Sequence, residues 1–488
     1  MNKPIRTMSI FCMLLFAALL LNSTYLQYFE ASSLNSRGDN KRVRDAEFSR
    51  KRGAIIAGGT SVAESVKSKD QYKYQRVYKQ PEKYAPLTGY YSYIYGRAAV
   101  EQSQNDILSG SDPRLFVNRV VDMLGSNQPK GGSVSLTIDP KAQTAAYDGL
   151  RGLGKGTKAA VAAIEPSTGK ILALASTPTY DPNRLASHQF SRVQKNYEQL
   201  TRAKDQPMLD RAIQETYPPG STFKLVTAAA ALSSGQYTPT TKVAGGRSIN
   251  LPQTTTDLPN EPGLDCGVDR ITLTQALENS CNTAFAEIGL KLGADALREQ
   301  ADKFGFGQSY LQDLPGQVKS RFPADPDEPQ TAFSAIGQFD VAATPLQMAL
   351  VAAGIANNGT VMRPYVVDEV QAPDLSLLDK TQPEALRSNA VSSSVARDLT
   401  QMMIEVVDNG TGRTAQIPNV KVAGKTGTAQ RGVNQAPYAW FVSFAPADDP
   451  KVAVAVLVDD PSVPRGEISG SGLAAPIAKS VMEAVVNK

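Results

Sequence analysis

Between Thr7 and Phe29 the chain carries no charged side chain, and from Ile10 to Leu21 every residue is apolar. An uncharged run of 23 residues is long enough, as a helix, to cross a hydrocarbon layer of about 30 Å. The run must leave water, and the 459 residues that follow it must fold elsewhere. A cleaved signal peptide is the competing reading, with Lys3 and Arg6 ahead of a 12-residue apolar centre. No small-x-small cleavage site follows cleanly. Instead Asn22-Ser23-Thr24 leads into Tyr25, Tyr28 and Phe29, aromatic residues suited to a membrane–water interface. A retained anchor over residues 8–29 is therefore expected, with a cytoplasmic tail at 1–7. The charge signal is mixed, because two basic residues precede the run and seven lie between Arg37 and Arg52. A cytoplasmic amino terminus is favoured because seven residues make no domain and the long remainder does.

The first 52 residues hold nine basic and four acidic side chains, so the body from 53 onward is close to neutral, 42 against 43. A neutral body has no bulk electrostatic footprint for nucleic acid. Apolar residues make up 41%, enough for a sizeable core. The chain has one histidine, His188, in a polar segment that reads as surface. Ser-His-Asp and Cys-His catalysis are excluded unless His188 is itself the base, as are His-rich zinc sites. The three cysteines lack C-x-x-C spacing, so a thiol-based metal or redox centre is not expected.

Residues 30–52 are polar, without apolar period, and read as a linker. Gly53 to Ala57 reads as a short strand ended by Gly58-Gly59. Tyr91, Tyr93 and Tyr95 alternate, as side chains on one face of a strand do. After Pro129-Lys130-Gly131-Gly132, Val134 to Ile138 reads as a strand. Pro140 to Leu150 then reads as a helix capped by Asp139. A domain boundary is placed here, giving an N-terminal unit at 53–132 and a second at 133–488. The second opens with a strand–turn–strand pattern, Ala159 to Ile164 and Ile171 to Ala175. It closes with two more strands, Ala439 to Phe444 and Val452 to Val458, and an amphipathic helix from about Leu473 to Val486. Helical stretches at 222–232, 271–292, 344–357 and 393–408 lie between. Strands at both ends of a region with helices between them predict an α+β domain.

Three short motifs carry chemistry. In Pro218-Pro219-Gly220-Ser221-Thr222-Phe223-Lys224 a tight turn leads into a helix-forming run. Ser221 is thus expected at a helix amino terminus, with Lys224 one turn on and on the same face. A serine is a poor nucleophile until a base takes its proton, and a neutral lysine is the natural candidate here. Burial or a nearby cation must lower the lysine pKa from about 10.4 for that. S-x-x-K is weak alone, and a helix cap is the bland reading of Ser221. A second match, Ser167 to Lys170, reads as a hairpin turn. Ser280-Cys281-Asn282 is an S-x-N triplet, a pattern also found at Ser33–Asn35 and Ser248–Asn250. Lys425-Thr426-Gly427 is the single K-T-G of the chain, on or beside a strand. There Gly427 would let a ligand backbone approach the strand edge. Lys425, Thr426 and Thr428 suit a carboxylate. Asn419 stands where a P-loop needs glycine, and no helix-forming run follows, which excludes that motif.

S-x-x-K, S-x-N and K-T-G in this order form the signature of penicillin-binding proteins and serine β-lactamases. Tyr217 to Lys224, Ala162 to Ser176, Tyr180-Asp181-Pro182-Asn183, Gly337-Gln338, Thr344 to Met348, Ala356 to Gly359 and Arg52 to Ile55 resemble class B penicillin-binding proteins, most closely the short actinobacterial ones. The resemblance covers nearly everything after residue 50. It implies an α+β transpeptidase domain, an antiparallel sheet flanked by helices, on an elongated N-terminal pedestal or dimerisation-like domain behind the membrane helix.

The implied activity is peptidoglycan D,D-transpeptidation, with Ser221 as nucleophile and Lys224 as its base. Ser280 would relay the proton, Asn282 would bond the substrate amide, and Lys425 with Thr426 and Thr428 would hold the terminal carboxylate. The Ser221 and Thr428 N–H groups would form the oxyanion hole. Implied partners are D-Ala-D-Ala stem peptides, an amine acceptor, β-lactams, the membrane and a polytopic glycosyltransferase of the division or elongation machinery; no nucleic acid and no cofactor is expected. A serine β-lactamase or D,D-carboxypeptidase is the nearest alternative. A β-lactamase needs a base for deacylation, and the E-x-x-x-N match from Glu405 to Asn409 reads as a helix face. A β-lactam sensor or a non-catalytic divisome scaffold is the alternative of another class. Cys266 and Cys281 are 15 residues apart, close enough in sequence for a disulfide worth about 3 kcal/mol in the loop-entropy account. Two free buried thiols are the other reading, and Cys12 lies in the anchor.

Overall fold

The computed structural model describes residues 3–30, 33–34, 41–116, 130–154, 156–261, 266–432, 435–460 and 468–487. A helix spans Lys3–Tyr28, with none of its residues buried, and is long and apolar enough to cross a membrane. Residues 30–52, expected to be linker, fold from Lys41 onward: Lys41–Phe48 is helical and Phe48 is buried. The Phe48 ring stacks on Tyr91 with centroids 4.3 Å apart, and Arg52 is buried against Glu101. Two residues in an otherwise polar stretch are enough to dock it, which an apolar period cannot report.

The tyrosine row is not a strand face. Of the three, only Tyr91 is extended, with Ser92, and each ring packs on rings from other segments: Tyr91 and Tyr93 share Phe48, Tyr93 also stacks on Phe190 at 4.8 Å, and Tyr95 stacks on Tyr197 at 3.7 Å. His188 sits beside this cluster, its side chain largely enclosed by Phe48 and Tyr72 and paired with Asp70. It is packed rather than superficial, and it does not line the cavity of Ser221.

A six-stranded sheet runs in the order Leu377–Lys380, Val367–Gln371, Ser133–Leu136, Ile55–Ala57, Thr60–Lys67, Tyr74–Tyr78. Ser133–Leu136 pairs in parallel with Ile55–Ala57 and antiparallel with Val367–Gln371. Strands from both sides of the expected boundary at 132 thus share one sheet. Beneath it Glu101, fully buried, receives Arg52 Nε and Arg76 Nε, each at 2.6 Å, and the Tyr78 hydroxyl at 3.0 Å. The two guanidinium groups hold the carboxyl below its ordinary range although burial pushes it up.

The second sheet has five antiparallel strands in the order Ala423–Ala429, Tyr438–Ala445, Val452–Asp459, Lys158–Ile164, Ile171–Thr177. Its strands alternate between two cores, as side chains on successive strand residues must. Ala159, Val161 and Ala163 face the helices Pro140–Gly152 and Ala475–Val486, whereas Ala160, Ala162 and Ile164 face the larger core. That larger core contains the helices Lys224–Ser233, Pro345–Ala356 and Ser393–Asp408. Asp139 caps the first helix, accepting from the Lys141 and Ala142 N–H groups, with Pro140 in its first turn. Burial on both faces explains why these strands read as continuous apolar runs.

The stretch expected to be helical from 271 to 292 is two helices, Leu273–Glu278 and Asn282–Leu292. The break falls at Ser280, whose φ of +58° puts a side-chain-bearing residue in the left-handed region. Such a backbone costs about 1–3 kcal/mol and persists where the surroundings enforce it.

Candidate active site

Ser221 lies in a single 3-10 turn, Gly220–Phe223, that feeds directly into the helix beginning at Lys224. The turn is fixed by its neighbours. Gly220 has φ +53°, and a Cβ there would lie 2.9 Å from Ala429 Cβ. Its N–H donates to Gly337 O at 2.9 Å, and Trp440 Nε1 donates to Pro218 O at 2.9 Å. Ser221 is 5% exposed and lines a cavity of about 710 Å³.

The K-T-G residues lie on Ala423–Ala429, the edge strand of the central sheet, with Lys425 opposite Val442 and Gly427 opposite Trp440. The missing side chain of Gly427 serves the protein's own packing. A Cβ there would lie 2.9 Å from Thr222 Cγ2 and 3.2 Å from Pro219 O. It lets the edge strand approach the Ser221 turn, and Gly427 itself lines the cavity, where a ligand backbone is expected to approach. The Thr426 and Thr411 hydroxyls are 2.6 Å apart, and both threonines line the cavity with Thr428.

The two lysines meet at Ser280. Lys224 Nζ donates to Ser280 O and to Asn282 Oδ1, both at 2.7 Å, and lies 3.4 Å from Ser280 Oγ. Lys425 Nζ donates to Ser280 Oγ at 2.8 Å and to Thr426 O at 3.0 Å. Both lysines are fully buried. Burial pushes Lys224 well below its ordinary value, and the neighbouring Lys425 pushes the same way. Burial brings Lys425 down to about 7, while the Glu261 carboxyl opposes the shift. A neutral Lys224 has two hydrogens, matched by the two 2.7 Å acceptors, and a lone pair left over.

No hydrogen bond joins Ser221 Oγ to Lys224 Nζ among the described side chains. The sequence places the two groups one turn apart; in the fold the lysine turns its hydrogens toward the S-x-N segment. In an unliganded site a nucleophile–base contact of this kind is often long and closes with substrate.

Asn282 is used at both ends, since its Nδ2 donates to Pro259 O at 3.2 Å. Cys281, between Ser280 and Asn282, forms a disulfide with Cys266, their Cα atoms 6.0 Å apart. Glu405 bonds Asn409 on the helix Ser393–Asp408 and does not line the cavity.

Glu261, Thr411, Gln430 and Ser469 to Ser471 also line the cavity and were not found from sequence. Thr411 stands in Gly410-Thr411-Gly412, a small-residue triplet that could have drawn notice. Glu261 carries no signal, because it belongs to no period or motif.

The chain matches the family model "penicillin binding protein transpeptidase domain" over residues 159–483. It matches "penicillin binding protein A dimerisation domain" over 52–134. It is 43% identical to the peptidoglycan D,D-transpeptidase PbpA of Mycolicibacterium smegmatis, covering 100% of both chains. It is 44% identical to PbpA of Mycobacterium tuberculosis over 100% of this chain and 99% of that one. The structure of M. tuberculosis penicillin-binding protein A as a penicillin G acyl-enzyme superposes with a TM-score of 0.84 at 45% identity, covering 89% of this chain and 99% of that one. The imipenem acyl-enzyme of the same protein gives 0.85 at 44% identity, with 90% and 100% covered.

Proposed function

This chain belongs to the penicillin-binding protein family of transpeptidases, and on that premise we propose that it is a peptidoglycan D,D-transpeptidase working through an acyl-enzyme on Ser221. The observation that carries the assignment to these residues is the convergence of Lys224 and Lys425 on Ser280 at the edge of the Ser221 cavity.

Ser221 Oγ attacks the penultimate D-Ala carbonyl of a stem peptide. Lys224, held neutral by burial and by Lys425, takes the hydroxyl proton. The developing oxyanion is met by the N–H groups of Ser221 and Thr428; one such donor is typically worth about 10²–10³ in rate. Lys425, with Thr426 and Thr428, receives the terminal carboxylate, whose charge would favour the lysine cation. As the C–N bond breaks, the proton passes from Lys224 through Ser280 Oγ to the departing D-Ala amine. An amine of a neighbouring stem then attacks the ester, forming the cross-link and returning Ser221. A role for Asn282 in holding the substrate amide requires its bond to Pro259 O to be exchanged. A β-lactam follows the first half of the cycle and stays attached.

The helix Lys3–Tyr28 supports a single-pass anchor. The disulfide supports an oxidising compartment for the body, hence an extracytoplasmic catalytic domain. Peptidoglycan and β-lactams are the ligands, in cell wall synthesis serving shape or division, with a polytopic glycosyltransferase as the expected membrane partner. The units are an anchor, an N-terminal non-catalytic domain and a transpeptidase domain.

Labelling with a fluorescent penicillin followed by peptide mapping tests the reading. The adduct is expected on the peptide containing Ser221 and is expected to vanish in Ser221→Ala. An adduct on another residue, or turnover within seconds, would overturn it.

A further inference from the structure

Glu261 is the one carboxylate among the described residues lining the Ser221 cavity. None of the three motifs needs it, and no step above uses it. Its position is nonetheless built. Just before it, Pro259 O accepts from Asn282 Nδ2 at 3.2 Å and Asn260 Oδ1 accepts from the Thr283 N–H at 3.1 Å. Asn260 Nδ2 donates to Gly246 O at 2.9 Å. Five residues beyond it, Cys266 is tied to Cys281. The residues that present Ser280 and Asn282 to the lysines therefore grip the Glu261 segment from both sides. Among the described residues, Lys224 and Lys425 are the ionisable groups that act on its carboxyl. Burial raises it above the ordinary carboxylate range and the two lysines draw it back.

The proton count of the reaction leaves work for such a group. Acylation balances within Ser221, Lys224, Ser280 and the leaving amine: the proton taken from the serine departs on D-Ala. The second half does not balance in the same way. A side-chain amine with a pKa near 10.4 arrives in neutral water as an ammonium, with one proton too many to attack. The incoming nitrogen must occupy the place the D-Ala nitrogen has left, beside Ser280. Lys425 stands there as a donor, and Lys224 must accept the proton lost later, when the amide forms.

We propose that Glu261 is a further catalytic residue of the second half-reaction: its carboxylate receives the acceptor ammonium and takes one proton from it. The neutral amine then attacks the acyl-Ser221 carbonyl, and the C–N bond forms. Its next proton passes through Lys224 to Ser221 Oγ as the ester C–O bond breaks. Glu261 releases its proton to water. The inference rests on the transpeptidase reading and deepens it.

The test uses the full chain in detergent, with Glu261→Gln and Glu261→Asp. Each protein is first titrated with fluorescent penicillin, which reports folding and the nucleophile. A D-Ala-D-Ala peptide donor is then offered with Nα-acetyl-lysine as the amine, and aminolysis is compared with hydrolysis across pH. In Glu261→Gln, aminolysis relative to hydrolysis is expected to fall about 10²-fold near neutrality, the lower end of what a general base supplies. The ratio, which partitions whatever acyl-enzyme still forms, should recover as pH approaches the pKa of the amine, a rescue that a displaced loop would not show. Glu261→Asp should restore part of it, and carries the test should Glu261→Gln fail to take penicillin. A wild-type ratio in both variants at every pH overturns the proposal. So does loss of hydrolysis alone, which would assign the carboxylate to water, or a wild-type enzyme that makes no amide with the lysine amine. If wild type takes no penicillin on Ser221, it is the transpeptidase reading that fails.

Discussion

Lys425 Nζ and Ser280 Oγ, 145 residues apart in the chain, are 2.8 Å apart in the fold. Through that hydroxyl the edge-strand lysine is coupled to Lys224. Burial, helped by the Lys425 cation, keeps Lys224 neutral, and the proposed mechanism needs the two lysines in opposite charge states. Acylation by penicillin should therefore be bell-shaped in pH. It is lost on the acid side as Lys224 takes up a proton at its lowered pKa. It is lost on the alkaline side as Lys425 gives up its proton, at about 7 in the free enzyme. The second-order acylation rate against pH measures both limbs. Lys425→Arg, which keeps its charge, should lose the alkaline limb while lowering the peak.

Ser280 combines the hydroxyl proposed as the proton relay with a left-handed backbone. Ser280→Ala should slow acylation by about 10²–10⁴-fold. Ser280→Gly should be equally slow yet more stable than the alanine variant by about 1 kcal/mol, because glycine accepts positive φ without cost. Stopped-flow acylation paired with thermal unfolding separates the two. Equal stability would show the turn is not strained.

The Cys266–Cys281 link closes a sequence separation of 15. Cys266→Ser should lower stability by about 3 kcal/mol in the loop-entropy account. It should also slow acylation, since Ser280 and Asn282 flank the tied cysteine. Denaturant unfolding and penicillin labelling, each with and without reductant, check both effects, and the variant should be insensitive to reductant.

Glu101 lies between two buried guanidinium groups. Glu101→Ala leaves Arg76 without its anion and Arg52 with only Glu47, 3.5 Å away, and should cost about 3–5 kcal/mol. Protein that remains folded should still take penicillin, because Glu101 is remote from the cavity lining. Calorimetry and labelling on one preparation test this, and unchanged unfolding would contradict it.

The residues that meet at the Ser221 cavity were legible where they fall in short motifs. A serine and a lysine one helical turn apart, or a lysine and small residues along an edge strand, lie within a few residues of one another and so read as a motif. Strands such as Val452–Asp459 were legible because both their faces are buried. What stayed hidden depends on distant contacts. The helix break at Ser280 is imposed by neighbours and not by a glycine or proline. Glu261 reaches the cavity because Asn282, Thr283 and Cys281 hold the segment around it. Phe48 and Arg52 dock a stretch whose composition reads as linker. The tyrosines at 91, 93 and 95 alternate in sequence, but each stacks on a ring from another segment.

Val367–Gln371 leaves the catalytic body to pair with Ser133–Leu136, which in turn pairs with Ile55–Ala57. The pedestal is thus woven from the chain's early and late thirds. Trimming away its first strands to obtain a smaller catalytic fragment would uncover a raw β edge along Ser133–Leu136 and invite clumping. Tension on the proposed anchor Lys3–Tyr28, likewise, would reach the transpeptidase domain in part through that seam.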